Sequence, residues 1–454
     1  MPVIHSEHRL RSRLKPLAVC LAAALALGAQ TSPALASILP VTNCADDNSA
    51  GSLRQVVKGA ANGDVIDLSA LSCSSITLTT GQINIGVNNL TLQGPSPPHA
   101  PMTISGGDNY RVLAHSPLFK MGTLSIDHLM IASGKYLGTS SQVKGGCIYS
   151  NSNVNLTNSV VSGCIAKQQS GAINADGARG GGIYALGLVT LTNSTVSGNR
   201  ADSSSDMGYS AHGGGIVAGH VHAYYSTVSN NTAVAGTNAS SGAGGIWTGD
   251  AVITASTIDS NHADSGAGIS FFGNGSTTIT NSTISANVAT TGAGGIATYF
   301  QASLKILNST IAFNQSASGV GGLSIAVFNS LVMHSSIVAE NATTSGSAAD
   351  LHVASSTVSG TRNLVMHSDA FLPSGMVTVT ANPHLAMLGN HGGPTRTNAL
   401  STFSSAVDQG NNVNSLFDDQ RGLGYSRSVG FGPDIGAYER QNNDDEIFAD
   451  GFED

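Results

Sequence analysis

"GGGIYALGLVTLTNSTVSGN", residues 180–199, has an apolar residue at nearly every other position and Gly, Asn, Ser or Thr almost everywhere else. Such alternation is the pattern of strands with one buried face. Relatives of this stretch recur down the chain. A Gly-rich step into an apolar residue occurs at GGCIY (145–149), GGGIY (180–184), GGGIV (213–217), GGIW (244–247), GAGIS (266–270), GAGGIA (292–297) and GGLS (321–324). A second phrase follows each: NSVVSGC, NSTVSGN, YSTVSNN, ASTIDSN, NSTISAN, NSTIAFN and HSSIVAEN. Its key apolar positions are Val161, Val196, Val228, Ile258, Ile284, Ile311 and Ile337, spaced by 35, 32, 30, 26, 27 and 26 residues.

Helix formers are scarce in these units. A period in the middle twenties, with short strands joined by turn residues, suits one coil of a solenoid. The sequence therefore predicts an all-β fold, a single-stranded parallel β-helix. Coils stacked at about 4.8 Å turn equivalent residues into columns. Ile183, Ile216, Ile246, Ile269, Ile296 and Leu323 form one inward column. Asn199, Asn231, Asn261, Asn287, Asn314 and Asn341 form a turn column whose amides can hydrogen-bond along the stack. Glycine supplies the backbone freedom that tight corners demand.

On the GG-I-Y and NSTVSGN repeats, the chain resembles secreted right-handed β-helix proteins of the broad pectate-lyase-like superfamily, with repeats similar to those of polymorphic-outer-membrane-protein-like exported proteins. The resemblance spans roughly residues 41–440 and implies fold more than activity.

The ends have their own patterns. Residues 52–62, SLRQVVKGAAN, read as a short N-terminal cap helix, with Ser52 and Gln55 at capping-box spacing and Gly63 as its stop. Leu53, Val56, Val57 and Ala60 would be its buried stripe. After about residue 380 the repeats give way to NPHLAMLGNHGGPTRTNAL, SSAVDQG, DDQRG and GPDIGAYE. Together these resemble a choice-of-anchor Q domain, which implies an irregular C-terminal cap over 380–440. Ser405 departs from that family's usual Pro. Asp408, Arg421, Asp434 and Glu439 are read as a network of buried charges that partner one another within this cap. The domain reading is thus 1–36 signal peptide, 37–63 N-terminal cap, 64–379 β-helix, 380–440 C-terminal cap and 441–454 acidic tail.

The signal peptide rests on Arg9, Arg11, Arg13 and Lys15 ahead of the apolar run PLAVCLAAALALGA, with Ala34-Leu35-Ala36 as cleavage site. The run is short of the roughly 20 residues a membrane span needs. Val19 stands where a lipoprotein box before Cys20 wants a small residue. Cleavage takes the formal charge from −8 to about −11. Such a chain attracts neither nucleic acid nor an anionic membrane surface. The expected location is secreted or on the outer-membrane surface of a Gram-negative bacterium, as a monomer. The acidic tail DDEIFADGFED is read as a sorting tag or a solvated end.

Four cysteines remain after cleavage: Cys44, Cys73, Cys147 and Cys164. An even count in an exported chain suggests two disulfides. Of three pairings, the sequential one is favoured, Cys44–Cys73 and Cys147–Cys164. Cys147 takes the repeat position of Gly182 and Cys164 that of Asn199, so the second pair opens and closes one coil.

The extra length of the early repeats falls at one place: IAKQQSGAINADGAR (165–179), RADSSSDMGYSAH (200–212) and TAVAGTNASSGA (232–243). Loops at a shared repeat position emerge on one side of a solenoid, where such folds carry function. Next to the inward column, Tyr149, Tyr184, Val217 and Trp247 should face outward. Tyr149, Tyr184 and Trp247 are the candidate ligand residues, offering rings to sugars. The expected role is adhesion or binding of polysaccharide or cell-surface glycans, without catalysis.

The rival reading is a polysaccharide lyase or glycoside hydrolase of the same superfamily. Resemblance to pectate lyases would imply Ca2+-binding carboxylates and a basic residue as base. Between Asp202 and Thr361, however, Lys305 is the only Lys or Arg. Resemblance to polygalacturonases would imply paired Asp and a Gly-His-Gly motif. Asp202, Asp206, Asp259 and Asp264 do not make that constellation, although Asp259 and Asp264 lie near one turn beside His262. No metal motif is present, and His220-x-His222 reads as a surface pair. No cofactor is called for.

Overall fold

The structure is a computed structural model. It describes residues 36–444 except 98, 119–120, 140–142, 172–176, 206–207, 301–302, 327–328, 345–349 and 443. Residues 1–35 of the signal peptide, Asp206 and residues 445–454 of the acidic tail lie outside the described residues.

The chain is an all-β parallel β-helix of about ten turns, right-handed as parallel crossovers within one sheet almost always are. One unit shows how the repeat folds. Ile183–Ala185 and Leu188–Thr192 lie on the first sheet, Thr195–Ser197 on the second and Arg200–Asp202 on the third. Every named strand pair is parallel. Most corners fall on small or polar residues, with Tyr225 and Phe313 as the bulky exceptions. Asn158, Asn193, Asn281 and Asn308 turn one corner at φ between 45° and 53°, a region Asn tolerates better than most residues.

The expected inward column is present. Register joins Ile148, Ile183, Ile216, Ile246, Ile269, Ile296, Leu323 and Leu351, all fully buried. The asparagine column is present as well. Each Nδ2 donates to the Oδ1 of the next coil, from Asn199 through Asn231, Asn261, Asn287 and Asn314 to Asn341, at 2.8–3.0 Å. Each of these Oδ1 atoms from Asn231 onward also accepts from the backbone N–H of the preceding Asn. A buried amide therefore has its polar atoms satisfied by its own copies. The column ends on Asp350, whose Oδ1 accepts from Asn341. It begins at Cys164, whose N–H donates to Asn199. A second ladder, not anticipated, runs beside it: the backbone N–H of Ser159, Ser194, Ser226, Ser256, Ser282 and Ser309 each donates to the next coil's Ser hydroxyl.

Both disulfides have the expected pairing, Cys44–Cys73 and Cys147–Cys164. One column needs correction. Ile311 pairs with Val338, not Ile337. HSSIVAEN carries one residue more than its relatives, so Ile337 faces outward and the last spacing is 27.

The N-terminal cap is shorter than expected. The helix spans Leu53–Gly59 and buries Leu53 and Val57. Ser52 makes no capping bond, because its hydroxyl and N–H both go to Ser49 O. The chain leaves the helix at Ala60, before Gly63. Arg54 pairs with buried Asp46 at 2.8 Å, and Asp46 also accepts from Thr79 and Thr80, fixing the cap to the first coils.

The C-terminal segment is irregular, but it lies along the flank of the stack rather than over its end. Thr395 donates to Ala255 O, Gln420 to Thr257, Asn281 to Asp418 O and Asn308 to Asn411 O; Ala437 N–H donates to Thr310 and Gly436 N–H to Ser335 O. The segment thus covers the second sheet on successive coils. The physical reason lies in that sheet's outer face. Thr257, Thr283, Thr310 and Ile337 point outward yet are fully buried, whereas Thr195 and Thr227, on uncovered coils, are only half-buried. Ile337 joins Leu364, Leu400, Ala406, Ile435 and Tyr438 in a separate apolar cluster between flank and stack. The axial end is closed instead by Met376, with Leu372 and Val377 packed against the main core.

Candidate functional site

The three inserts behave as their shared position predicts. Each returns to the stack through a short strand, Ala178–Arg179, Ala211–His212 and Ser241–Gly242, and these form a sheet of their own. Val143, Ala166, Ala178, Ala201, Ala211 and Ala233 make a small apolar core beneath it. The return strands put Arg179, His212 and Gly242 in one column, with Lys144 bridged to Arg179. This column borders the one holding Tyr149, Tyr184, Val217 and Trp247, whose register is also as expected.

The rings are not free platforms. Tyr149 and Tyr184 stack on each other with centroids 5.8 Å apart and planes within 5°. Tyr184 is buried. Arg111 lies 3.7 Å over Tyr136 and 5.2 Å from the Tyr149 centroid, and Lys144 lies 5.0 Å over Tyr184. Burial pushes the Arg111 pKa down to about 10, opposed by the two tyrosines. Trp247 stacks on His212 at 4.1 Å and on Phe272 at 5.4 Å, with Tyr299 at 5.8 Å. Copies stacked along a solenoid offer their faces to one another and their edges to solvent.

Between Tyr149 and Trp247, Val217 is the member of the column that is not a ring; beyond Trp247 the column continues with Ser270 and Ala297. Tyr184 and Trp247 lie two coils apart, about 10 Å along the axis. The missing ring leaves a cleft of about 450 Å³ lined by Tyr184, Leu186, Val217, Trp247, Phe272 and Phe300, with Arg179 and His212 on the insert side. That size is in the range of small-ligand sites. Phe300 and Leu186 are exposed at its lip. A Cβ on Gly242 would collide with the six-membered ring of Trp247 and come within 3.1 Å of His212 Nδ1. Only glycine lets the indole lie against that strand.

Arg179 Nε is buried in the wall without a hydrogen-bond partner, whereas His212 has a backbone hydrogen bond with Gly242. Burial, then the Arg179 charge, holds the His212 imidazole down to about 4, so it is neutral at pH 7. Neither residue was a sequence candidate. The signal was present, since Arg179 and His212 are the last residues of their inserts, each directly before a GGG step. The earlier scarcity of Lys and Arg applied to the coils after Asp202; Arg111, Lys144 and Arg179 all precede it.

The structure does not gather the other candidates into a site. Asp259 is fully buried beneath the flank and paired with Arg396. Asp264 is taken up by Ser241 and Thr290. Asp202 is paired with Arg200 and Lys167. His220 and His222 share a strand, and His220 bonds Asp250 at 2.7 Å. Among the described residues, no group of three or more His, Cys, Asp or Glu could hold a metal ion, and no helix is long and apolar enough to cross a membrane.

The four flank residues share a buried polar network with partners that sequence reasoning missed. Arg421 pairs with Asp419 at 2.7 Å, and Glu439 with Arg427 at 2.9 Å. Asp434 accepts from the N–H groups of Asp408 and Arg440, and Asp408 from those of Phe431 and Gly432. Asp444, assigned to the tail, is buried and accepts from Tyr438. A second cavity, about 510 Å³, lies between Glu340 and His384, Leu385 and Phe403 of the flank, away from the inserts.

No protein-family model and no curated protein matches the chain. Among solved structures, the chain is similar to the crystal structure of pectate lyase Pel9A, with a TM-score of 0.44 and 12% identity over 89% of this chain and 96% of that one.

Proposed function

We propose that the protein is an exported, non-catalytic β-helix that binds a glycan in the cleft at Val217. The observation that carries this reading is the break in the ring column. An edge-lined apolar cleft, roofed by Tyr184 and floored by Trp247, offers a sugar ring the place a side-chain ring would otherwise fill. Rigid strands and the insert sheet hold its walls, so little ordering is needed on binding. The signal-like N-terminus and the two disulfides favour an extracellular setting, and the anchor-like motifs of the flank favour retention at a surface.

Trp247 is the sole tryptophan of the chain, so its emission reports directly on the cleft. A glycan array on the purified protein should find binders, and the same glycans should shift that emission. Val217→Tyr, which restores the missing ring, should abolish binding with an unchanged melting temperature. Phe300→Ala, at the exposed lip, should weaken it. Binding by Val217→Tyr equal to the parent would place the ligand elsewhere. Release of reducing ends or of unsaturated products from a binder would establish the lyase or hydrolase reading instead.

A further inference from the structure

We infer that the mature chain begins at Ser37 and that the α-ammonium group made there pairs with the Asp64 carboxylate, so that removal of the leader pins the first strand to the stack. The inference rests on the export reading above and is independent of the cleft.

Three observations converge. First, a cut after Ala34-Leu35-Ala36 leaves Ser37 directly beside the first strand, Ile38–Pro40. The new terminus would fall on the stack itself. Second, both backbone groups of Ser37 are already engaged there. Its N–H donates to Asp64 Oδ1 at 2.9 Å, and its carbonyl accepts from Val65 N–H at 2.9 Å. The nitrogen that cleavage frees is thus the atom that faces the carboxylate. Third, Asp64 is only 5% exposed and has no Lys, Arg or His partner among the described residues. Its other oxygen accepts from Ala61 N–H at 2.8 Å, just past the cap helix. A covered carboxylate normally has a cation to replace its lost hydration.

Hydrolysis of the Ala36–Ser37 bond by a leader-removing protease consumes one water. The hydroxyl goes to the Ala36 carbonyl carbon, which leaves as a carboxylate. Ser37 N takes both protons and becomes an ammonium at neutral pH. A neutral amide donor is thereby replaced in the same place by a charged one, and such hydrogen bonds are roughly twice as strong. The Ser37 N–H, then the Ala61 N–H, hold the Asp64 carboxyl below the ordinary carboxylate value, so it is ionised at neutral pH. The other charged side chains of the elements packed there are occupied or unpaired with Asp64. Arg54 is held by Asp46, Asp67 accepts from Ser69 N–H, and Lys58 in the last helical turn makes no pair with Asp64.

The place matters for the fold. Among the described strands, Ile38–Pro40 pairs with Val65–Asp67 alone, so it is the edge of its sheet. Edge strands need some device to hold and protect them. An ion pair at the start of the strand supplies one, and only the processed chain has it. The pair should raise the α-amino pKa above its ordinary range of about 7.7–8.0. Its contribution to stability is then fully present below that range and is lost as pH rises through the raised value.

The test uses the full chain, expressed in an exporting Gram-negative host. Mass spectrometry of the secreted protein should find Ser37 as the first residue. The pH dependence of acylation at the terminus, read on the N-terminal peptide, gives the α-amino pKa, which should lie about one unit above the ordinary range. Asp64→Asn should return it to that range and speed acylation at pH 7 about tenfold. A second chain, with two glycines inserted between Ala36 and Ser37, moves the ammonium away without touching Asp64. It should show an ordinary α-amino pKa and faster amide exchange at Val65. A Ser37 terminus with an ordinary pKa, unmoved by Asp64→Asn, would overturn the inference and leave the export reading standing. A chain that keeps residues 1–36 in this host would overturn both.

Discussion

Asn261→Ala removes the middle rung of the asparagine column. Its Oδ1 accepts from Asn231 N and Asn231 Nδ2, both at 3.0 Å, and its Nδ2 donates to Val228 O and Asn287 Oδ1. Asn287 Oδ1 keeps a partner in Asn261 N–H. Asn231 is less fortunate: its backbone N–H and one amide hydrogen lose their acceptor in a site with no exposure. Two buried orphan donors at about 1–3 kcal/mol each give a destabilisation of about 4 kcal/mol. A solenoid is a chain of nearest-neighbour interfaces, so the loss should be felt first at the coils of Asn231 and Asn261. At about 1.4 kcal/mol per tenfold, amide exchange at Asn231 should speed up by about three orders of magnitude if it proceeds through local opening. Coils near residue 90 should exchange as before. Hydrogen exchange read by NMR or mass spectrometry on parent and variant measures this directly. An Asn231 region whose protection changes less than threefold would refute the reasoning and leave the backbone ladders as the sole support of the stack.

Three further outcomes follow from other parts of the molecule. Gly242→Val should drive the indole of Trp247 out of its place, with a red shift of emission and loss of glycan binding, since a Cβ there meets the ring. The Cys147→Ala/Cys164→Ala pair opens a loop of 17 residues and should cost about 3 kcal/mol, read from denaturant unfolding. The flank should loosen as pH rises. Burial pushes Asp434 up to about 6, and burial together with the Asp434 charge pushes Glu439 up to about 8 against the pull of Arg427. Both lie above the ordinary Asp and Glu values, so the folded state holds more protons than the unfolded one. That contribution to stability is fully present below about pH 4 and is lost as pH rises through about 6 to 8. Limited proteolysis within 380–440 should therefore be faster at pH 8.5 than at pH 5.5 with a protease matched for activity at both; the opposite order would contradict it.

Most of the fold was legible because a solenoid writes its contacts locally. The column partner of Ile183 is one period away, and the pattern repeats often enough to identify it. The one-residue error at Ile337 arose where the phrase itself gained a residue. The flank was not legible in this way. Gln420 reaches Ser256 and Thr257, more than 160 residues earlier, and nothing periodic points there. The covered threonines resemble their uncovered relatives in sequence; only burial separates Thr257 from Thr227. The cleft was half legible. The odd residue in the ring column, Val217, stood in plain sight, as did the shared origin of the inserts. That the last residues of the first two inserts would become the wall depended on how the inserts return, which composition does not encode.

The flank has a consequence for how such a protein can vary. Its contacts fall on Ala255, Asn281, Asn308 and Ser335, so it is a template with fixed graduations. Coils beneath it must keep its pitch, and they do: Ile258, Ile284, Ile311 and Val338 follow at intervals of 26, 27 and 27 residues. Coils ahead of it are free of that gauge: the first keep intervals of 28 and 27 (Ile76, Ile104, Ile131), and the insert-bearing coils stretch to 35, 32 and 30. Length variation is thereby confined to the part of the molecule that carries the inserts and the cleft. The chain separates a metered half, which can be inherited unchanged, from an unmetered half, in which new loops can be tried without disturbing the stack.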